Sequence, residues 1–332
     1  MKTKGMSLPQ LIDRFHSEEK CRSYLEGLRW PDGVECPRCG SKKISHIKER
    51  GQFDCDSCRY QFSVTAGTIF HDSHLPLNKW LLASYIICES KKGVSANQMK
   101  RMLGVSYKTA WYLCHRIRAA MKGTAPEPLR GIVEVDETWI GGRHQGVGKG
   151  NRVGKTMVVG AIQRSGPVRL RVIKQNDRRT LHGFIREVTH DDAEAIVTDE
   201  WPAYQGIGDE NTEHRTIYHG AQEWVQANVH TNTIEGVWSL FKRSIVGSYH
   251  HLSAKHLNAY LDEMAFRFNN RSNPYLFRDT LIALINADTV PYSKLVTDFR
   301  YTSNSSPAGC RNPNLTSKAD LWFPPLTMIF AS

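Results

Sequence analysis

Residues 131–140, GIVEVDETWI, decide the fold of the larger part of the chain. Apolar and polar side chains alternate along this stretch, which predicts a β-strand with a different set of residues on each face. One face carries Val133, Val135, Glu137 and Trp139. The other face carries Ile132, Glu134, Asp136, Thr138 and Ile140. A carboxylate, that of Asp136, therefore stands in the middle of the strand.

The chain on the C-terminal side contains further strand-forming segments, two of which are apolar and β-branched rather than alternating. Three more strands are predicted, at 156–163, 168–174 and 195–199. An amphipathic helix is predicted at 178–188, before the last of these strands. The order β-β-β-α-β, followed by further helices, is that of a ribonuclease-H-like domain, a mixed sheet with flanking helices. In that arrangement an acid in the middle of the first strand lies beside an acid at the end of the fourth. Asp136 and Asp199 occupy these two places.

A third acid is expected on a later helix, and the stretch VHTNTIEGVWSLFKR at 229–243 offers Glu235. Asn232 and Glu235 also fit a capping box, in which the Glu bonds back to the helix start. The competing interpretation is that Glu235 binds metal, with Lys242 about two turns further along the same helix face. Neighbouring carboxylates repel one another unless a cation lies between them, so the three acids together favour a Mg²⁺ (or Mn²⁺) site. Asn232 remains the predicted helix cap.

The acids beside the chosen ones have a plainer interpretation. Glu134, Glu137 and Glu200 are predicted to be solvent-facing or auxiliary. Any one of the chosen acids alone would be an ordinary surface residue, and only the set points to a site. Two metal ions held by such carboxylates can activate a nucleophile and stabilise the leaving oxygen in phosphodiester cleavage. Lys242, followed by Arg243, is expected to hold a phosphate near the metals.

Two CxxC pairs near the N-terminus predict a structural zinc site. Cys36 and Cys39 are separated by 15 residues from Cys55 and Cys58, a spacing typical of four-cysteine zinc ribbons. Four thiolates can surround one Zn²⁺ tetrahedrally at about 2.3 Å, and in so small a segment the ion supplies folding energy. A redox CxxC is the alternative, which the doubling of the pairs and the lack of a surrounding βαβ pattern disfavour.

Residues 77–121 predict three helices, of which the last two form a helix-turn-helix. Ser95 caps the second helix, Gly104 ends it, and Ser106 caps the third, which is predicted to be the recognition helix. Its predicted DNA contacts are Tyr107, Lys108, Thr109 and Arg116, with further charge from His115 and Arg118. A plain helical hairpin with a solvated basic face is the alternative.

The composition fits a folded protein with a polyanionic partner. Of the 332 residues, 40% are hydrophobic and 23% charged, and the net charge is +11. Such an excess of Lys and Arg favours nucleic acid, although an anionic membrane surface is the alternative. No apolar run approaches the roughly 18 residues of a membrane span, and the N-terminus has no apolar signal segment. A cytoplasmic location is expected.

These patterns together predict a multidomain α/β chain. Its parts are an N-terminal helix and zinc ribbon at 1–74, a helix-turn-helix DNA-binding domain at 75–124, a ribonuclease-H-like catalytic domain at 130–285 and a C-terminal tail at 286–332. The tail is rich in Ser, Asn and Pro, and we expect it to be poorly ordered.

Several stretches of the chain resemble one known family. That family is the bacterial insertion-sequence transposases of the DDE class that carry an N-terminal zinc ribbon, the "fifteen-ninety-five" insertion-sequence family. The similar stretches are SEEKCRSYLEGLRWPDGVECPRCG, FSVTAGTIF, KKGVSANQMKRMLGVSYKTAW, VEVDETWIGG, VTDEWPAY, HTNTIEGVWSLFKR and HHLSAKHLNAYLDEMAFRFNNR. The resemblance covers roughly residues 15–275.

The resemblance implies that Asp136, Asp199 and Glu235 are the catalytic triad and that Lys242 is the basic residue that follows it. It also implies metal-dependent phosphoryl transfer on DNA. Water attacks at a transposon end, within a terminal inverted repeat, and frees a 3′-hydroxyl, which then attacks target DNA. Because two DNA ends must be held together, a homodimer or higher oligomer is expected. Some members of the family have Asn in place of the third acid, whereas this chain has Glu235.

Two rival functions fit the same motifs. One is a catalytically silent, transposase-derived regulator that only binds DNA, although a pure binder has no need of three carboxylates near a phosphate. The other is a ribonuclease-H-like nuclease, which would cleave DNA without joining it.

Overall fold

The computed structural model describes residues 5–122, 127–141, 154–217 and 230–297, and the statements below concern those residues. Most of the predicted tail, residues 298–332, lies outside them. No helix within the described ranges is both long enough and apolar enough to span a membrane.

The N-terminal part consists of two helices and a small antiparallel sheet. Its elements are α1 (Leu8–Arg14), α2 (Glu18–Arg29), β1 (Ile44–Ile47), β2 (Gln52–Cys55) and β3 (Gln61–Phe62). Trp30, at the end of α2, packs its ring edge-on against Phe53 and Phe62 at centroid distances of 5.5 and 5.9 Å. The sheet that carries the second CxxC pair is thereby anchored to α2.

Three helices follow and confirm the predicted helical segments: α3 (Leu77–Glu89), α4 (Ala96–Leu103) and α5 (Tyr107–Met121). The Ser95 hydroxyl accepts the Gln98 backbone N–H at 3.2 Å, and the Ser106 hydroxyl accepts that of Thr109 at 3.1 Å. Both bonds satisfy an N–H that has no partner within the helix. Gly104 closes α4 at a φ of 61°, a left-handed conformation that favours glycine.

The larger part is built on a mixed sheet that has five strands in the described residues. Its elements are β4 (Ile132–Ile140), β5 (Thr156–Gln163), β6 (Val168–Ile173), α6 (Arg178–Val188), β7 (Ala195–Asp199) and β8 (Glu213–Ile217). The spatial order is β6-β5-β4-β7-β8, with β4 antiparallel to β5 and parallel to β7. The predicted order β-β-β-α-β is confirmed. Strand β8 has no counterpart among the predictions, because its sequence EHRTI contains a single strongly apolar residue.

Helices cover both faces of this sheet. Helix α6 packs on the face that carries Val133 and Val135. The opposite face is covered by α7 (Asn232–Ser244) and α8 (Leu257–Asn269), with Trp238 and Phe241 in the apolar cluster between them and the sheet. A π-helical turn, Ile245–Tyr249, follows α7. The face of β4 that carries Asp136 therefore lies under α7.

Helix α9 (Leu276–Asn286) packs into the N-terminal core, where Phe277 and Leu281 join the same apolar cluster as α3 and α5. A short helix, α10 (Tyr292–Val296), follows. The Tyr112 hydroxyl on α5 donates to the Val290 carbonyl at 2.6 Å. Residues 286–297, predicted to begin a poorly ordered tail, are thus folded against α5, because apolar and aromatic side chains pack there.

Candidate active site

Strands β4 and β7 bring two of the predicted acids to the same end of the sheet. The parallel ladder between them ends at the pair Glu134–Val197. Asp136 on β4 and Asp199 on β7 each lie two residues beyond that pair, so they occupy matching positions on neighbouring strands. The strand order therefore places these two acids beside each other.

Helix α7 crosses this end of the sheet and supplies the third acid. Glu235, Lys242 and Arg243 are exposed residues of α7. All three line an open pocket of about 690 Å³ whose wall also includes Asp136 and Asp199. The four residues predicted to be catalytic, together with Arg243, meet in one cavity.

Asp136 is oriented by Trp238, whose indole N–H donates to Oδ2 at 2.9 Å. The indole fits because the residue opposite Asp136 on β5 is Gly160, where a Cβ would lie 2.7 Å from the ring. Burial raises the pKa of Asp136 to about 6, and the nearby charges of Asp199 and Glu235 act in the same direction. A cation in the pocket would favour the ionised form.

Asp199 and Glu235 are each oriented by a hydrogen bond to one oxygen. The backbone N–H of Trp201 donates to Oδ1 of Asp199 at 3.0 Å. The Thr231 hydroxyl donates to Oε1 of Glu235 at 3.3 Å. Each carboxylate has a second oxygen that can act as a metal ligand.

A fourth acid, Glu137, also lines the pocket. Its carboxylate accepts a hydrogen bond from the buried hydroxyl of Tyr204. Burial raises the pKa of Glu137 to about 7, although the Tyr204 hydrogen bond opposes the shift. Glu137 and Glu200 are each predicted to be solvent-facing or auxiliary. The position of Glu137 supports the auxiliary role, whereas Glu200 is exposed, in line with the solvent-facing role.

The start of α7 differs from the predicted capping box. Thr231 is the N-cap residue, its side chain makes no capping bond, and Asn232 is already helical. The prediction that Asn232 caps the helix is therefore wrong. The Glu235 side chain lies in the pocket wall, so the metal-binding interpretation of this residue is the one that its position favours.

Glu134 of β4 takes the capping role instead. Glu134 is predicted to be solvent-facing or auxiliary; its side chain is 0% exposed, which contradicts the first role and leaves the second. The carboxylate accepts hydrogen bonds from backbone N–H groups in the first turn of α7. The sequence signal for this role is the strand alternation, which places Glu134 on the same face as Asp136.

The oxygen donors around the pocket fit a hard divalent cation. Magnesium prefers oxygen ligands and usually keeps several waters, so it needs few carboxylates. In the described residues, only one group of three or more candidate ligand side chains has all its ligand atoms within 4.8 Å of one another. That group consists of cysteines. The ligand oxygens of the three pocket acids therefore do not all lie within 4.8 Å of one another.

The four predicted cysteines form that compact cluster. The Cys36 and Cys58 sulfurs lie 3.6 Å apart, and those of Cys39 and Cys55 lie 3.5 Å apart. Tetrahedral zinc with bonds of about 2.3 Å separates its sulfurs by about 3.8 Å. The cluster therefore has the size for one zinc ion.

The predicted recognition helix exposes its first turn. Tyr107 and Lys108 are exposed and remain candidates for DNA contact. Thr109 is half-buried, and its hydroxyl pairs with that of Ser106 at 2.9 Å, so its side chain belongs to the helix cap.

The prediction that Arg116 contacts DNA is wrong. Its side chain is 3% exposed and donates to the backbone carbonyls of Ile69 and His71. His115 and Arg118, predicted to add charge to the DNA-binding face, are buried as well. Helix α5 is enclosed beyond its first turn because α3, α8 and α9 pack around it.

Comparison with known proteins matches two parts of the chain. Residues 128–269 match a family model for the ISXO2-like transposase domain, and residues 16–61 match a model for the transposase zinc-ribbon domain. A relative from Halobacterium salinarum, described as an uncharacterized protein in the transposable element ISH50, is 28% identical over 253 residues. The match covers 70% of this chain and 84% of the relative.

Two solved structures of Mos1 complexes are also similar. The strand-transfer complex is 12% identical, with a TM-score of 0.27, and the match covers 62% of this chain and 74% of that one. The pre-cleavage transpososome is 13% identical, with a TM-score of 0.25, and the match covers 82% and 95% respectively. At these TM-scores the superposition is poor, and the two family models are the stronger finding.

Proposed function

Because the chain belongs to the fifteen-ninety-five family of insertion-sequence transposases, we propose that it cleaves DNA at terminal inverted repeats and joins the freed 3′-hydroxyl to target DNA. The observation that carries this proposal is the pocket, in which the three acids meet Lys242 and Arg243. A regulator that only binds DNA has no use for such a group of carboxylates.

Each pocket residue has a separate role in the proposed reaction. Asp136, Asp199 and Glu235 would hold Mg²⁺ or Mn²⁺, which when bound activates the attacking oxygen and neutralises charge at the leaving oxygen. Lys242 and Arg243 bind phosphates of the strand that enters the pocket. The hydrogen bond from Trp238 keeps the carboxylate of Asp136 turned to one side.

The remaining parts of the chain serve DNA binding and assembly. Zinc in the cysteine cluster would hold the ribbon in its folded form. Tyr107 and Lys108, at the exposed start of α5, contribute DNA contacts. We expect a homodimer or a larger assembly on DNA, because cleavage and joining use two transposon ends.

The proposal is tested by replacing each acid with its amide. Purified protein is incubated with labelled linear DNA that carries the inverted repeats flanking its gene, a supercoiled target, and Mg²⁺ or Mn²⁺. We expect Asp136→Asn, Asp199→Asn and Glu235→Gln each to lower end cleavage and joining by at least about 10²-fold, since even outer-shell partners of metal sites contribute about 10–100-fold. DNA binding should persist in all three.

Glu200→Gln is the matched control, because Glu200 is an exposed acid directly after Asp199. It should cleave and join like the wild type. Wild-type protein that binds the ends but never cleaves them would favour the regulator, and cleavage without joining would favour the nuclease.

A further inference from the structure

A buried carboxylate links the strand that carries Asp136 to the helix that carries Glu235. Glu134 lies two residues before Asp136 on β4, and its side chain is fully buried. Burial of a carboxylate is costly unless hydrogen bonds and an opposite charge compensate it. Glu134 has both.

The hydrogen bonds come from the first turn of α7. Oε2 of Glu134 accepts the backbone N–H of Thr233 at 2.9 Å and that of Ile234 at 3.1 Å, and Oε1 accepts the Thr233 hydroxyl at 2.9 Å. These N–H groups have no acceptor within the helix, and the helix N-terminus favours negative charge. Glu134 therefore caps α7 from the sheet rather than from the chain that precedes the helix.

The opposite charge comes from Arg164, which follows the end of β5. Its Nε donates to Oε1 of Glu134 at 2.8 Å. Its Nη2 donates to the backbone carbonyl of His230 at 2.9 Å. Arg164 thus holds both the carboxylate and the chain that leads into α7.

We propose that Glu134 is a positioning residue that fixes Glu235 relative to Asp136. Ile234, which donates its N–H to Glu134, directly precedes Glu235, and Asp136 follows Glu134 on the same strand face. This short path sets the separation of the two acids before DNA binds. The inference rests on the proposed function only in taking both acids as metal ligands.

A cap from the preceding chain would stabilise α7 but would add no contact between the first turn of the helix and the sheet. A cap from β4 couples the position of the helix to the strand that carries the other acid. Such coupling matters because a misplacement of about 1 Å can cost on the order of 10²-fold in rate.

The test is Mn²⁺ binding by the full-length protein without DNA, followed by electron paramagnetic resonance, together with end cleavage. Glu134→Gln keeps the shape of the side chain but removes the charge. We expect its Mn²⁺ dissociation constant to rise about tenfold and cleavage to fall about 10–100-fold, with the affinity for the DNA ends unchanged. A folded Glu134→Gln protein that binds Mn²⁺ and cleaves like the wild type would overturn the proposal.

The matched control is Glu187→Gln, which removes the acid from an exposed ion pair with Arg171. It should leave Mn²⁺ binding and cleavage at wild-type values. If both variants weaken Mn²⁺ binding equally, the effect is general and the assigned role of Glu134 is wrong.

A milder pair of variants covers the case in which Glu134→Gln fails to fold. Thr233→Val removes the hydroxyl that donates to Glu134, and Thr233→Ser keeps it. We expect weaker Mn²⁺ binding and slower cleavage in the first and wild-type values in the second. Equal values in both would overturn the proposal.

The same experiment separates this inference from the proposed function. Wild-type protein that binds Mn²⁺ but never cleaves DNA contradicts the function. The Mn²⁺ affinities of the variants, measured without DNA, still support or overturn the role of Glu134.

Discussion

Lys108 and Arg116 lie about two turns apart on α5 and carry the same charge, but their surroundings differ. The Lys108 ammonium is exposed and lies 4.5 Å from the centre of the Tyr292 ring, a cation–π contact that orients it. The Arg116 guanidinium is buried, donates to two backbone carbonyls and lies 5.0 Å from the Trp80 ring. One residue is available to DNA and the other holds α5 in the core.

Lys108→Ala should therefore weaken DNA binding without affecting the fold. A phosphate-binding lysine contributes about one unit to the slope of log affinity against log salt. We expect that slope to fall by about 1 in titrations of a labelled transposon end, with a small loss of stability from the lost contact with Tyr292. Lys174→Ala, at an exposed lysine beyond β6, is the control and should retain the wild-type slope.

Arg116→Met separates the two roles further. It leaves the carbonyls of Ile69 and His71 without their donor, so it should lower the free energy of unfolding. The salt dependence of DNA binding in the remaining folded protein should match the wild type. A changed salt slope in Arg116→Met would show that this guanidinium reaches DNA after all.

At the scale of elements, the sheet that carries the second CxxC pair is small. Its strands are two to four residues long, and a three-stranded sheet of that size buries little apolar surface. Trp30, Phe53 and Phe62 provide one small aromatic contact with α2. Binding of zinc to the cysteine cluster would supply the rest of the folding energy.

Cys36→Ser should release zinc and unfold the ribbon. Three thiolates retain the ion far less well than four, and structural zinc contributes on the order of 10 kcal/mol to the folding of such modules. Metal analysis of the purified protein should fall from one zinc per chain towards none. Cys88→Ser, at a buried thiol outside the cluster, should keep its zinc, and unchanged zinc in Cys36→Ser would refute the site.

Elements with a strong local pattern could be predicted from the sequence, often with their observed bounds. Strand β5, helices α5 and α6, and strand β7 are examples, because a run of apolar residues, helical periodicity or a Ser cap marks each of them. The pocket acids could also be predicted, since strand order alone brings Asp136 and Asp199 together. The elements depend on short-range patterns, whereas the meeting of the two acids depends on the strand order that this domain type implies.

What could not be predicted depends on partners far along the chain. Arg116 is buried against the carbonyls of Ile69 and His71 and the ring of Trp80, and the sequence of α5 does not indicate these contacts. Glu134 caps a helix about 100 residues away. Side-chain exposure and the contacts of isolated polar residues are therefore set by tertiary packing, which local pattern does not encode.

At the scale of the whole molecule, a buried charge cluster joins the helix-turn-helix to the helices of the pocket. Glu263 on α8 accepts a hydrogen bond from Arg118 on α5 at 2.6 Å and pairs with Arg267 at 3.2 Å. The Tyr249 hydroxyl, just beyond α7, donates to Glu263 at 2.8 Å. Residue 93 must be glycine there, because a Cβ would lie 1.7 Å from that hydroxyl.

Glu263→Gln should destabilise the whole chain. Burial alone would raise the pKa of Glu263, but the charges of Arg118 and Arg267 hold it below its usual value, so the carboxylate is ionised and paired. Its removal leaves two buried guanidinium groups without their counter-charge, at a cost of about 3–5 kcal/mol. Urea unfolding measures this loss.

Asp279→Asn provides the comparison, because the pair Arg278–Asp279 is partly exposed. It should cost less than about 1 kcal/mol. A Glu263→Gln protein as stable as Asp279→Asn would mean that the buried cluster does not hold the two parts together.

Helix α9 completes an apolar core that also contains helices from the N-terminal part of the chain. The order in which these helices are translated has a consequence for biosynthesis. At about 5–20 residues per second, translation from the end of α5 to the start of α9 takes roughly 8–30 s. During that interval the nascent chain exposes to solvent the apolar side of α3 and α5 that α9 later covers. The core built from α3, α5 and α9 is therefore complete only after the five-stranded sheet has been translated, and polypeptides that end before α9 are not expected to fold this core.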